Sequence, residues 1–315
     1  MASSAASMPF IKNLASSDRR TRTQSLDTLK AFLSTKYAGP STSVPLSFLD
    51  AHKLWTGLFY ALWMADRAPV QQRLCDELAG LPAAVGLADA STVAWLRGFW
   101  AIMAQRWTTG IDVLRMDKFL LLVRRVLAAQ LAWMAGSVGG EKKKQKKTQA
   151  KAAAVQSLAA ETAGLSVLQD WPLNPEAETP VDDGQDEDQL EDGGEKRWTR
   201  KRVQATVRIP VGLAMHVLDI WVDEAEKLGL LAEAEATEAT EASDAAGRPS
   251  LVRNVNALVE TLAAQTRSPA VRKHAREALT DERLPWNEKA EESADEANSD
   301  EDEDMADNGS WDGFE

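Results

Sequence analysis

Apolar side chains recur at three- and four-residue spacing through most of the first 135 residues, the pattern of helices that each bury one face. Ser17, with Asp18 in the first turn, opens one such element; Leu26, Leu29 and Leu33 mark its buried side and Gly39-Pro40 ends it. Pro45 suits the first turn of the next helix. There Phe48, Leu49, Ala51, Leu54, Trp55, Leu58, Phe59, Leu62 and Trp63 leave little polar surface, so a central position is expected. A short helix from Pro69 to Ala79 follows, broken at Gly80-Leu81-Pro82. Asp89 or Ser91 then opens a helix carrying Val93, Trp95, Leu96, Phe99, Trp100, Ile102 and Met103. After a turn at Thr108-Thr109-Gly110 the longest helix is expected from Ile111 to Met134, stopped by Gly136.

The pattern lapses between 136 and 195. A Gly-Lys segment, GSVGGEKKKQKK, leads into an Ala-rich stretch read as a frayed helix, and Trp171-Pro172 to Gly194 reads as an acidic, disordered linker. Arg202 to Ile209 alternates weakly, as a short strand or an extended lead-in. A second helical block, 196–285, is expected to pack on the first. Its clearest helix has Pro210, Leu213, Ala214, Val217, Leu218, Trp221 and Leu228 on one face. Two more helices are read at Leu251 to Gln265 and Pro269 to Leu279, after a low-complexity, solvated insertion at 231–247. Residues 286–315 read as a disordered acidic tail. The fold class is all-α, with helix pairs on short turns that suit a helical repeat as well as a bundle.

Charge is distributed unevenly along these segments. The whole chain carries −12, which taken alone argues against nucleic acid. By segment the values are +10 for 1–169, −11 for 170–195, +1 for 196–285 and −12 for 286–315. The acidity therefore sits in two low-complexity stretches, and the apolar body is neutral to basic. Apolar residues make up 44%, enough for a sizeable core. A single cysteine, Cys75, excludes a disulfide scaffold and fits a reducing compartment. No secretory leader is read in MASSAASMPF, and the most apolar run, Leu54 to Ala65, is short of the roughly 20 residues that span a bilayer. No membrane association and no small-molecule substrate are expected.

Catalytic chemistry is sparse. Gly136 to Lys142 lacks the Gly-Lys-Ser/Thr ending of a phosphate loop, no GxGxxG occurs, and His52, His216 and His274 are scattered outside any HExxH. His216, Asp219 and Asp223 share a helical face at i, i+3 and i+7 but read more simply as a solvated polar face. No metal, cofactor or catalytic residue is assigned. Cys75, beside Asp76 and Glu77, reads as a small core residue.

Basic positions are more informative. Arg115, Lys118 and Arg125 fall on one stripe of the expected long helix, with Leu114, Phe119, Leu121 and Leu122 turned elsewhere for packing. Arg19, Arg20 and Arg22 stand at a helix start, and Lys142, Lys143, Lys144, Lys146 and Lys147 crowd the linker. All can neutralise phosphates, or simply solubilise a surface. For the lysine run, and for Lys196, Arg197, Arg200, Lys201 and Arg202, a nuclear import signal competes with RNA contact. Of eleven tryptophans, Trp55, Trp63, Trp95, Trp100 and Trp133 lie in apolar stripes and are expected in the core, whereas Trp198, Trp286 and Trp311 are candidate partner anchors.

The segments PFIKNLASSDRRTRTQSLDTLKAFL, LWTGLFYALWMADRAPVQQRL, FWAIMAQRWTTGIDVLRMDKFLLLVRRVL and RIPVGLAMHVLDIWVDEAEK resemble the nucleolar ribosomal RNA processing protein 1 family. An extra threonine at Thr108-Thr109 departs from its tighter Trp-Thr-Gly turn. The resemblance implies a helical, HEAT-like, non-enzymatic assembly factor of early large-subunit (pre-60S) precursors. Such a factor would sit in the nucleolus, be needed for processing of internal spacer RNA, and have pre-ribosomal RNA, other assembly factors and ribosomal proteins as partners. The acidic stretches leave a second class open, a chaperone for histones or other basic nuclear proteins.

Overall fold

In the computed structural model, residues 10–39, 44–136, 147–182, 204–232, 234 and 250–287 are described. The chain runs through α1 (Phe10–Leu14), α2 (Arg19–Tyr37), α3 (Phe48–Trp63), α4 (Ala68–Val85) and α5 (Asp89–Arg106). A 3₁₀ turn (Val113–Arg115) then leads into α6 (Met116–Met134) and α7 (Lys147–Asp170). Strands β1 (Glu178–Asp182) and β2 (Gln204–Arg208) follow, then α8 (Val211–Lys227), α9 (Leu251–Gln265) and α10 (Pro269–Leu279). Among the described residues the fold is all-α apart from one antiparallel ribbon, which pairs Glu178 with Arg208 and Asp182 with Gln204.

The helices stack as two layers. α1, α3, α5, α7 and α9 pack in succession in one, and α2, α4, α6, α8 and α10 in the other; neighbours in sequence such as α1–α2, α6–α7 and α9–α10 join the layers. The most extensive helix–helix contacts run between nearest and next-nearest helices, the mark of a helical repeat rather than a closed bundle. A single apolar cluster nevertheless runs from Phe10 to Leu284, so both helical blocks share one core.

Close approach and indole hydrogen bonds set the layer spacing. A Cβ at Gly98 of α5 would lie 2.9 Å from the Ala51 carbonyl carbon, so only glycine lets α3 and α5 come this near. Trp55, Trp95 and Trp100 are fully buried, and Trp63 and Trp133 are half-buried beside them. The Trp55 indole N–H donates to the Trp95 carbonyl at 2.9 Å, and that of Trp133 to Asp89 at 3.2 Å. Buried Gln130 on α6 accepts from the Trp100 indole at 3.0 Å and donates to the Gly164 carbonyl at 3.1 Å, pinning α5, α6 and α7 together. An amide so placed satisfies both neighbours in a dry core.

Several sequence expectations change. Asp18, not Ser17, caps α2, accepting from the Thr21 N–H at 2.9 Å. α4 does not break at Gly80-Leu81-Pro82 but continues to Val85 with Pro82 inside. Pro82 sits in the last turn, where it forfeits one backbone bond while its carbonyl accepts from the Leu87 N–H at 2.9 Å. Left-handed Gly86 (φ 67°) closes the helix one turn later. The helix expected from Ile111 starts only at Met116, and the longest described helix is α7, 24 residues.

The 136–195 linker, read as disordered around a frayed Ala-rich helix, is ordered over 147–182. α7 buries Val167 and Leu168 against α5 and α6, and Trp171, Leu173 and Val181 join the same core. An alanine-rich surface carries a weak apolar stripe but permits close packing: a side chain at Gly164 would collide with Met134. In the ribbon, Thr179, paired with Val207, and Val181 are buried together with Val207, and β2 lies against α5. The insertion expected to be solvated over 231–247 begins as helix, with Leu231 and Ala234 buried in the core; residues 183–203, 235–249 and the acidic tail beyond 287 lie outside the described residues.

Candidate nucleic-acid and partner interface

The turns that lead from each odd-numbered helix to the next even-numbered one gather along one edge of the stack, opposite the α2–α3 and α4–α5 connections that meet at Ala38 and Leu87. The Arg22 guanidinium reaches from α2 to the carbonyls of Ser16 and Ser17, both at 2.8 Å, and to that of Met64 at 3.3 Å, tying the α1–α2 turn to the α3–α4 turn. Lys118 in the first turn of α6 donates to the carbonyls of Trp63 at 2.7 Å and Ala65 at 2.9 Å. Arg115 lies over the Trp63 ring at 4.7 Å and pairs with Asp112. Gly212 at the start of α8 abuts the Trp107 indole, where a Cβ would stand only 3.0 Å from Nε1, and Ile209 bonds to Ala177 next to the ribbon. Arg267 in the α9–α10 turn faces Glu176 at 4.0 Å.

Every even-numbered helix starts on this edge, so five positive dipole ends point the same way. Arg19, Arg20 and Arg67 are exposed there, and the Arg267 side chain is 93% exposed. Arg106 rests over the Tyr60 ring at 6.0 Å. Asp18, Asp66, Asp112 and Asp117 on the same edge temper the charge without reversing it. Apolar groups are also bare: Val113 is 87% and Leu114 93% exposed, with Met64 and Val211 half-exposed nearby.

The structure separates the basic residues that the helical spacing had placed on one stripe. Lys118 is 5% exposed. Burial first, and then the charge of Arg115, hold its ammonium below the ordinary lysine value. Arg125 pairs with Asp76 of α4 at 2.8 Å, on the face where α4 and α6 meet. Arg115 precedes the helix altogether, so the three do not share one solvated face. Leu114, expected to pack, instead caps the exposed 3₁₀ turn because the helical phase begins two residues later. Arg22 is spent on backbone carbonyls, leaving Arg19 and Arg20 as the solvent-facing members of that group. Lys147 begins α7, and Lys142, Lys143, Lys144 and Lys146 lie outside the described residues, as do Lys196, Arg197, Arg200, Lys201, Arg202, Trp198 and Trp311. Trp286 is half-buried on the core beneath Arg253, whose guanidinium stands 3.9 Å from the ring centre.

Other titratable groups are committed to structure. His216 Nε2 bonds to the Leu120 carbonyl at 3.1 Å, Asp219 faces His274 at 3.0 Å, and Asp223 binds Arg124 and Arg283 at 3.1 Å each. Among the described residues no three His, Cys, Asp or Glu side chains converge on a metal position. Burial, reinforced by Asp76, pushes the Cys75 thiol up to about 12, so it stays protonated at neutral pH. No helix among the described residues is long and apolar enough to cross a membrane.

A family profile described as nucleolar protein Nop52 matches residues 5–169 and 196–312, across both helical blocks. The chain belongs to the Nop52 family. Its relatives include the ribosomal RNA processing protein 1 homolog of Drosophila melanogaster, 33% identical over 125 residues, which are 40% of this chain and 18% of that protein. Homolog B of Homo sapiens is 34% identical over 122 residues, 39% of this chain and 16% of the relative. Human homolog A is 42% identical over 79 residues, 25% and 17% respectively. The matched stretches span less than a fifth of these relatives' lengths. In this Nop52-family chain Arg67, Arg267, Val113 and Leu114 are surface features that helical periodicity alone did not single out. The Asp112 that precedes the 3₁₀ turn was the available sign that residues 113 and 114 stand outside the helix.

Proposed function

We propose that this protein is a non-enzymatic assembly factor of large-subunit ribosomal precursors, acting in the nucleolus as a helical scaffold that docks on precursor ribosomal RNA and on other assembly factors. The observation that carries the reading is the Nop52 family match over both helical blocks. The relatives' description as ribosomal RNA processing proteins supports precursor RNA as the substrate of the process. The turn edge supports the mode of contact: exposed arginines beside helix N-termini neutralise phosphates without reading sequence. Arg19, Arg20, Arg67 and Arg267 are the residues in the described body that would carry it, with the lysines at 142–147 adding a second basic segment.

Affinity purification of the tagged full-length chain from cells tests this, with large-subunit precursor RNA expected in the eluate. Arg19→Glu with Arg20→Glu should weaken RNA binding and flatten its salt dependence by about one slope unit per lost phosphate contact. Absence of precursor RNA and of large-subunit assembly factors from the eluate would refute the reading. Loss of basic-protein binding on removal of residues 286–315, with precursor association never present, would favour a chaperone instead.

A further inference from the structure

We infer that the acidic segment 288–315 of this same chain docks on the turn edge, seating Trp311 and Phe314 against Val113 and Leu114. The 3₁₀ turn presents two consecutive aliphatic side chains almost wholly to solvent, in a body whose other large apolar groups are mostly packed. Arg115, which lies over the Trp63 ring and pairs with Asp112, follows them in the chain; Arg19, Arg20, Arg67, Arg106 and Arg267 outnumber Asp18, Asp66, Asp117 and Glu176 on the same edge, which also carries the N-terminal ends of α4, α6 and α8. A complementary occupant combines aliphatic or aromatic anchors with acidic neighbours. Residues 286–315 carry 13 acidic side chains and one basic, and after Asn287 their large apolar residues are Met305, Trp311 and Phe314, all within one ten-residue stretch. The other acidic segment, 183–195, has Leu190 as its sole large apolar group.

The geometry allows the contact. Trp286 lies under Arg253 at the start of α9, on the edge opposite the turns. Crossing one 19-residue helix costs about 29 Å at about 1.5 Å per residue. Two helix spacings from α10 to α6 add about 20 Å sideways, for roughly 35 Å in all. The residues from 288 to 305 can span about 55 Å when extended. A tether of this length holds the anchors at an effective concentration near millimolar, so a weak contact is populated without a partner.

The test places p-benzoylphenylalanine at Leu114 in the full-length chain and maps photo-adducts by mass spectrometry, mixing isotopically light and heavy protein to separate contacts within a chain from contacts between chains. Leu114 is bare, so the substitution leaves the core intact. Adducts within one molecule to residues 305–315, reduced at least fivefold by Trp311→Ser with Phe314→Ser, are expected. Adducts to 183–203, adducts only between molecules, or none would overturn the inference. The readout uses no RNA, so its failure is distinct from failure of the RNA-docking role.

Discussion

Replacing Lys118 by Met tests whether this lysine is a clamp or a contact. The substitution keeps the aliphatic stem but removes the ammonium that donates to the carbonyls of Trp63 and Ala65 at 2.7 and 2.9 Å. Each charge-assisted bond contributes about 1.5–3 kcal/mol, and relief from burying a charge returns part of that. A net loss of about 2–4 kcal/mol is expected, roughly 30- to 900-fold in the folding equilibrium. Urea denaturation followed by tryptophan fluorescence measures it, since Trp63 adjoins the clamp. At temperatures where both proteins are folded, RNA affinity should agree within about twofold, because the ammonium faces inward. A stability loss below about 0.5 kcal/mol together with severalfold weaker RNA binding would refute the clamp and return Lys118 to the interface.

Gly98→Val should cost about 1–3 kcal/mol, because the added side chain meets the α3 backbone at Ala51; calorimetry showing an unchanged melting temperature would contradict this packing. Trp100→Phe should cost about 1–3 kcal/mol, and a double-mutant cycle with Gln130→Leu should show coupling of about 1 kcal/mol, whereas additivity would deny the bond. Burial lowers the pKa of His52 and of His216 in the fold, so the unfolded chain takes up protons first. Their contribution is complete above the ordinary value near 6.5 and falls as pH drops toward the folded values; His52→Gln with His216→Gln should flatten the stability decline between about pH 7 and 5, and an unaltered slope would show other groups responsible.

Helix existence and core composition were legible because Trp55, Leu58, Trp95 and Phe99 repeat at helical spacing and do end up in one core. What periodicity could not convey was anything set by a neighbouring helix. α7 is alanine-rich, seven of its 24 residues, and its order comes from Val167 and Leu168 in the core, the fit of Gly164 against Met134 and Trp171 just beyond its end. Pro82 looked like a stop until the Schellman closure at Gly86 accommodated it one turn from the end. Exposure was partly legible: Arg19 and Arg20 are bare, while Arg22, Lys118 and Arg125 are drawn to carbonyls or an acid on adjacent elements. Local spacing places a charge on a helix face; only tertiary packing decides whether that face is wet.

Crosslinking of the full-length protein to RNA in cells, followed by sequencing of the RNA and mapping of the crosslinked peptides, tests the central claim most directly. Reads concentrated on large-subunit precursor and internal spacer RNA, with peptides from the Arg19–Arg20, Arg67 or Arg267 turns or the 142–147 lysines, are the predicted result. Reads no more abundant on precursor ribosomal RNA than in an uncrosslinked control would contradict it.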